Sequence, residues 1–235
     1  MSGILVVDDD ATVGEVLLSY LDRAALVGRH VASAEGLPEL IASMDPDLLV
    51  LDVMLPDADG IDLCADVRAN HPGLPVILLT ARSEEIDRIA GLSAGADDYV
   101  VKPFSPRELV LRIQSVLRRS TAPARSNESA EEVIRDGDLT IDLGSRRVAR
   151  GTAELALTVR EFDLLAHLLA NPGRALSRDE LVRDVWDWDF GDRSTVTVHV
   201  RRLREKIESD PANPTRLVTV WGVGYRWEAV GRVEA

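Results

Sequence analysis

The chain has 235 residues, 46% of them apolar, enough for one large domain or two of ordinary size. Its single cysteine, Cys64, excludes an internal disulfide and reads as a small buried side chain in a reducing compartment. No apolar run approaches the roughly 18 residues of a membrane span, and Met1-Ser2-Gly3-Ile4 has no signal pattern, so a cytoplasmic protein without a membrane partner is expected. The formal net charge of −13 argues against nucleic acid only until it is divided. Residues 1–119 hold 20 acidic and 10 basic side chains, residues 120–235 hold 20 and 17. Within residues 193–206, Arg193, Arg201, Arg202, Arg204 and Lys206 stand against Glu205 alone, so two halves with two roles are expected.

In residues 1–119, β-rich runs alternate with helical patterns. The runs are Ile4-Leu5-Val6-Val7, a short one near Arg29-His30-Val31, Leu48-Leu49-Val50-Leu51, Val76-Ile77-Leu78-Leu79 and Tyr99-Val100-Val101. Continuous apolar runs suit parallel strands covered on both faces. Val13, Val16, Leu17, Tyr20 and Leu21 fall at helical spacing, as do Leu109, Ile113 and Val116. The alternation predicts an α/β domain, a doubly wound (βα)5 parallel sheet. Residues 120–132 hold no apolar side chain larger than alanine and read as a flexible linker.

Residues 133–230 predict an α+β domain. Short strands near 133–149 turn at Asp136-Gly137 and Leu143-Gly144-Ser145. Three helices follow. Thr158 with Glu161, and Ser177 with Glu180, have capping-box spacing for the first two. The first ends at Asn171-Pro172-Gly173, the third runs from about Ser194 to Glu208, and a hairpin from Leu217 to Trp227 turns through Gly222 and Gly224.

Ligands of open parallel sheets sit at the C-terminal strand ends. There stand Asp8, Asp9 and Asp10 after the first strand, Asp52 after the third, Thr80 ending the fourth and Lys102-Pro103 ending the fifth. Strands lie about 5 Å apart, so these side chains converge. Each aspartate alone is a plain turn or cap residue; the ordered set is not. Clustered carboxylates with room for water and phosphate suit Mg²⁺. Lysine and threonine complete a phosphoryl cradle in which an aspartate acts as nucleophile.

Ile4–Asp10, Leu51-Asp52-Val53-Met54-Leu55-Pro56, Leu79-Thr80-Ala81-Arg82 and Asp97–Phe104 resemble the receiver domain of response regulators, over about residues 3–119. The resemblance implies that Asp52 accepts phosphate from a phosphohistidine of a sensor histidine kinase. It implies that Asp8, Asp9, Asp52 and the Met54 carbonyl hold Mg²⁺, that Lys102 pairs with the phosphoryl oxygens, that Thr80 moves to the phosphate and Tyr99 swings inward behind it, and that Lys102-Pro103 is cis. The end of this domain is similar to the OmpR/PhoB subfamily, which dimerises through its fourth helix, fifth strand and fifth helix. The charged pairs of that interface map to Arg88 with Glu108, Asp98 with Arg112 and Asp97 with Arg119.

On the third helix of the second half, Val196, Val200, Leu203 and Ile207 form one stripe at about 100° per residue. Thr195, Thr197, Val198, Arg201, Arg202 and Glu205 fall on the far side. A solvated basic face is the plain reading of such a helix alone; third in a trio and followed by a Gly-turned hairpin, it describes a winged helix-turn-helix. Leu157–Phe162, Val198–Arg204 and Gly222–Arg226 resemble the OmpR/PhoB effector domain, over about residues 133–228. The resemblance implies base contacts by Thr197, Val198 and Arg202. It implies phosphate contacts by His199, Arg201, Arg204, Thr219 and Tyr225, with Trp186 approaching from the preceding helix. It also implies a phosphorylation-dependent homodimer on direct-repeat promoter DNA and contact of loop 187–192 with RNA polymerase. Trp221 stands where the subfamily often has arginine; it stacks on a sugar or packs under the wing.

Two other classes stay open. An aspartate-nucleophile phosphatase uses a second aspartate two residues after the nucleophile; Met54 stands there and moves no proton. A winged helix can also bind protein or RNA.

Overall fold

The computed structural model describes residues 3–81, 85–120, 133–188 and 193–231, without the side chains of residues 85, 119 and 120. The linker expected at 120–132 lies outside these residues beyond its first position, as do Arg82 and most of loop 187–192. The chain divides into two compact units, Met1–Arg118 and Arg119–Ala235. Among the described residues no helix is long and apolar enough to cross a membrane.

The first unit runs β1 (Gly3–Val7), α1 (Ala11–Arg23), β2 (Val27–Val31), α2 (Leu37–Met44), β3 (Leu48–Asp52), α3 (Gly60–Asn70), β4 (Val76–Thr80), α4 (Glu85–Ser93), β5 (Asp98–Val101) and α5 (Pro106–Ser120). The strands form one parallel sheet in the order β2-β1-β3-β4-β5. β1, β3 and β4 are buried almost throughout because helices cover both faces. Ile4, Val6, Val50 and Ile77 pack with Leu17 and Leu21 of α1 and Leu109, Ile113 and Val116 of α5, joining both helical stripes in one core. The chain leaves β1 towards β2 on one side and reaches β3 on the other. This reversal opens a crevice above the C-terminal ends of β1 and β3.

The second unit opens with an antiparallel four-stranded sheet, β6 (Val133–Asp136), β7 (Leu139–Asp142), β8 (Arg147–Arg150) and β9 (Ala153–Leu155). It continues through α6 (Val159–Leu169), β10 (Leu176–Ser177), α7 (Arg178–Trp186), α8 (Ser194–Ile207), β11 (Leu217–Val220) and β12 (Gly224–Trp227). Both capping boxes form, Thr158 with Glu161 on α6 and Ser177 with Glu180 on α7, satisfying backbone donors that helix starts leave open. The α8 stripe Val196, Val200, Leu203 and Ile207 packs against Phe162, Leu165 and Leu181.

The hairpin β11–β12 gains a third strand, in the order β10-β12-β11. β10 is two residues long and has no sequence period of its own; its contact with β12 creates it. Gly224 permits that contact, since a Cβ there would lie 2.0 Å from the Leu176 carbonyl oxygen.

Candidate functional sites: an acidic pocket and a basic helix face

At the β1–β3 crevice the carboxylates of Asp8, Asp9 and Asp52 offer oxygens within 4.8 Å of one another. Asp8 and Asp52 are buried and Asp9 is exposed. Asp10, next in the run, is the N-cap of α1, its Oδ1 accepting from the amides of Thr12 at 2.8 Å and Val13 at 3.4 Å. These amides hold the Asp10 carboxyl below its ordinary value. Asp8 Oδ1 accepts from the Asp10 amide at 3.0 Å, and the His30 ring reaches the Asp8 carbonyl at 2.7 Å. Asp52 Oδ1 accepts from the Met54 amide at 3.1 Å. Gly60, at the start of α3, makes the chain's turn beneath Asp52 possible, because a Cβ would stand 2.2 Å from the Asp52 carbonyl.

Lys102 Nζ lies 2.7 Å from Asp52 Oδ2 and 2.8 Å from Asp8 Oδ2. Burial disfavours this ammonium, but hydrogen bonds and charges of Asp52 and Asp8 outweigh it and raise the lysine above its ordinary value. One ammonium faces three carboxylates. An all-oxygen donor set with surplus negative charge is what a hard divalent cation takes, so these residues fit one. The Lys102-Pro103 bond is cis. Thr80 is buried at the end of β4. Tyr99, expected to swing inward, is already covered, with the Arg88 guanidinium 5.5 Å from its ring centroid.

Two of the charges expected at a dimer face are structural instead. Asp97 is fully buried, ion-paired with Arg68 and accepting from the Val76 amide at 3.0 Å. Asp98 is fully buried and pairs with Arg112 of its own chain at 3.2 Å. Arg112 also holds Glu108, one helical turn away, at 2.8 Å. The Arg119 side chain lies outside the described residues. What the charge pattern missed is apolar: Ile86 and Ile89 on α4 and Leu111 on α5 are exposed.

The basic helix also differs from expectation. Arg202, expected at a base, is buried, and its Nη2 lies 2.8 Å from Glu161 Oε1 on α6. Val198 and Thr195, placed on the far side by the helical wheel, are buried, because the covered face of α8 is wider than its apolar stripe. His199, expected at phosphate, is fully buried. Its Nδ1 lies 2.9 Å from the Thr195 carbonyl, and its ring meets Trp186 edge-on at 5.1 Å. Trp186 is itself fully buried and reaches no surface. Tyr225 is buried, and its hydroxyl accepts from Arg178 at 3.1 Å, so it is a core residue and not an open contact. Arg204 donates to the Leu217 carbonyl at 2.6 and 2.8 Å and to Thr219 Oγ1 at 2.9 Å, bracing β11 against α8.

The solvent face of α8 therefore carries Thr197 and Arg201, with Arg201 held by Glu205 at 3.0 Å. Arg178 joins them. It stacks on the Tyr225 ring at 4.8 Å and lies 3.5 Å from Thr197 Oγ1. Its position in the helical pattern of α7 gave no hint of this, since the neighbour comes from another helix.

Residues 4–114 match the family described as response regulator receiver domain, and residues 152–227 match transcriptional regulatory protein, C terminal. The transcriptional regulatory protein ResD of Bacillus subtilis is 42% identical over 232 residues, covering 96% of this chain and 95% of its own length. The sensory transduction protein RegX3 of Mycobacterium tuberculosis is 41% identical over 232 residues, covering 97% and 100%. Among solved structures, the response regulator DrrB of Thermotoga maritima, described as an OmpR/PhoB homolog, is 33% identical over 97% of this chain and all of its own, with a TM-score of 0.51.

Proposed function

The chain belongs to the OmpR/PhoB family of two-component response regulators, and from that membership we propose that phosphate taken up on Asp52 controls how its second unit binds promoter DNA. One observation carries the reading. Asp52 ends β3 at the sheet's reversal, buried, with Lys102 at 2.7 Å and Asp8 and Asp9 beside it. A carboxylate placed so attacks the phosphorus of a phosphohistidine on a sensor kinase. The new bond joins an Asp52 oxygen to phosphorus, the P–N bond breaks, and its electron pair returns to the imidazole. Lys102 neutralises charge on the transferred oxygens, and Thr80 donates its hydroxyl to them. Asp8, Asp9 and Asp52, with the Met54 carbonyl, would hold Mg²⁺, which would supply positive charge to offset the negative charge of the phosphoryl group. External phosphate esters are not turned over, because Met54 offers no proton where a phosphatase keeps its acid.

Residues 1–119 form the phosphoacceptor domain and 133–230 the DNA-binding domain, joined by the linker at 120–132. Phosphorylation favours a homodimer through α4, β5 and α5. Exposed Ile86, Ile89 and Leu111 supply its apolar centre, with Arg88 and Glu108 at the rim. Tethering two DNA-binding units raises their effective concentration at paired half-sites. Thr197 faces bases, while Arg201, Arg178 and Thr219 face phosphates. RNA polymerase is a further partner, and the protein acts in the cytoplasm.

The test is retention of sheared genomic DNA with and without beryllofluoride and Mg²⁺, followed by sequencing. Enrichment of direct repeats about one helical turn apart, only with the phosphate mimic, is expected. Equal enrichment without it removes the switch, and none in either case removes DNA as the target.

A further inference from the structure

The run Asp8-Asp9-Asp10 leaves the sheet where β1 gives way to α1, and its carboxylates are held unequally. Asp8 Oδ1 accepts from the Asp10 amide at 3.0 Å, and Oδ2 lies 2.8 Å from Lys102 Nζ. Asp10 caps α1. The exposed Asp9 carboxylate has no hydrogen bond or ion pair among the described residues. Its place beside Asp8 and Asp52 is therefore set by its backbone.

That backbone is fixed from β2, the edge strand. The β1–β2 register ends at Val7 with Val31. One residue on, the Asp8 amide still donates to the Val31 carbonyl at 3.1 Å. The Asp8 carbonyl has left the ladder, and its donor is a side chain, His30 Nε2 at 2.7 Å. A carbonyl only accepts, so Nε2 carries the proton. The ring is seated on α1 at Gly14, where a Cβ would stand 2.5 Å from the imidazole Cγ and Nδ1. Glycine is disfavoured inside a helix; here it opens the seat for the ring.

We infer that His30 is a positioning residue for the divalent cation. By holding the Asp8–Asp9 peptide it aims the Asp9 carboxylate at the cation, with Gly14 as its seat. A ligand ordered in advance loses less entropy when the cation arrives. The inference rests on the Mg²⁺ reading above, and the test separates the two.

The full chain is titrated with Mn²⁺, which takes the same oxygen ligands, and free Mn²⁺ is read from its electron paramagnetic resonance. Asp9→Asn defines the site, since binding that survives it belongs to other surface carboxylates. His30→Ala is expected to weaken the site about tenfold. His30→Gln returns an N–H donor at the end of the side chain and recovers most of the affinity. Gly14→Ala displaces the ring and weakens the site, yet adds nothing in the His30→Ala background. Urea unfolding of each variant is followed by circular dichroism. Binding unchanged in Asp9→Asn overturns the cation site and the inference with it. Binding lost in Asp9→Asn and intact in His30→Ala overturns the inference alone. His30→Gln as weak as His30→Ala, or losses that follow the urea midpoint instead of the donor, make His30 a packing residue and overturn its role. Additive losses from Gly14→Ala and His30→Ala overturn the seat.

Discussion

The Arg202 guanidinium lies 2.8 Å from the Glu161 carboxylate, joining α8 to the first turn of α6 inside the protein. Lys206 Nζ holds the other Glu161 oxygen at 2.6 Å, and the same oxygen accepts from the Thr158 amide at 2.8 Å. Glu161 is thus a helix cap and the centre of a buried charge cluster at once. Removing one partner strands charge away from water. Arg202→Met is expected to destabilise the protein by about 3 kcal/mol, measured by urea unfolding of the full chain through its buried tryptophans. Loss of sequence preference with unchanged stability would return Arg202 to the DNA face.

The same cluster sets a response to acid. Burial alone raises the Glu161 carboxyl, but Arg202 and Lys206, with the Thr158 amide, outweigh it and leave it lowered. A carboxyl lowered by folding gives stability that is present above its unfolded value of about 4.3 and lost as pH falls through the folded value. Glu161→Gln is expected to lower stability at neutral pH and to narrow the gap to wild type below about pH 4. A difference between the two proteins that stays constant across this range contradicts the assignment.

Asp52→Asn is expected to abolish labelling by acetyl phosphate, because the amide is no nucleophile for phosphorus. Lys102→Met keeps the nucleophile and removes the ammonium 2.7 Å from it, so labelling is slowed rather than lost. Undiminished label on Asp52→Asn places the acceptor elsewhere. Wild type is expected to release no phenol from an aryl phosphate beyond a buffer control.

Ile86→Asp puts a charge at a side chain 72% exposed, so the monomer keeps its fold. Sedimentation with beryllofluoride and Mg²⁺ is expected to give a dimer for wild type and a monomer for this variant. A dimer in both excludes α4 from the interface.

Arg204→Ala removes the brace from α8 to Leu217 and Thr219. Affinity is expected to fall alike for specific and random DNA, together with a loss of protease resistance in the hairpin. Weaker DNA binding with an equally resistant hairpin would make Arg204 a direct phosphate contact.

Much of this molecule follows from its sequence, because the signals are local. Parallel strands buried on both faces leave continuous apolar runs, and those runs place Asp8, Asp52, Thr80 and Lys102 at strand ends in a known order. The boxes of Thr158 with Glu161 and of Ser177 with Glu180 are likewise decided within four residues. What surrounds a side chain is decided elsewhere. Asp10 looks like its neighbours and caps a helix; Asp97 and Asp98 look like surface charges and are buried against Arg68 and Arg112. A helical wheel shows which α8 residues share a face, yet only α6 and β11, distant in sequence, decide that Arg202 is enclosed by Glu161 and Arg204 spent on the wing, while Arg201 and Trp221 stay open to solvent. Periodicity is a property of one element, and exposure is a property of the elements packed around it.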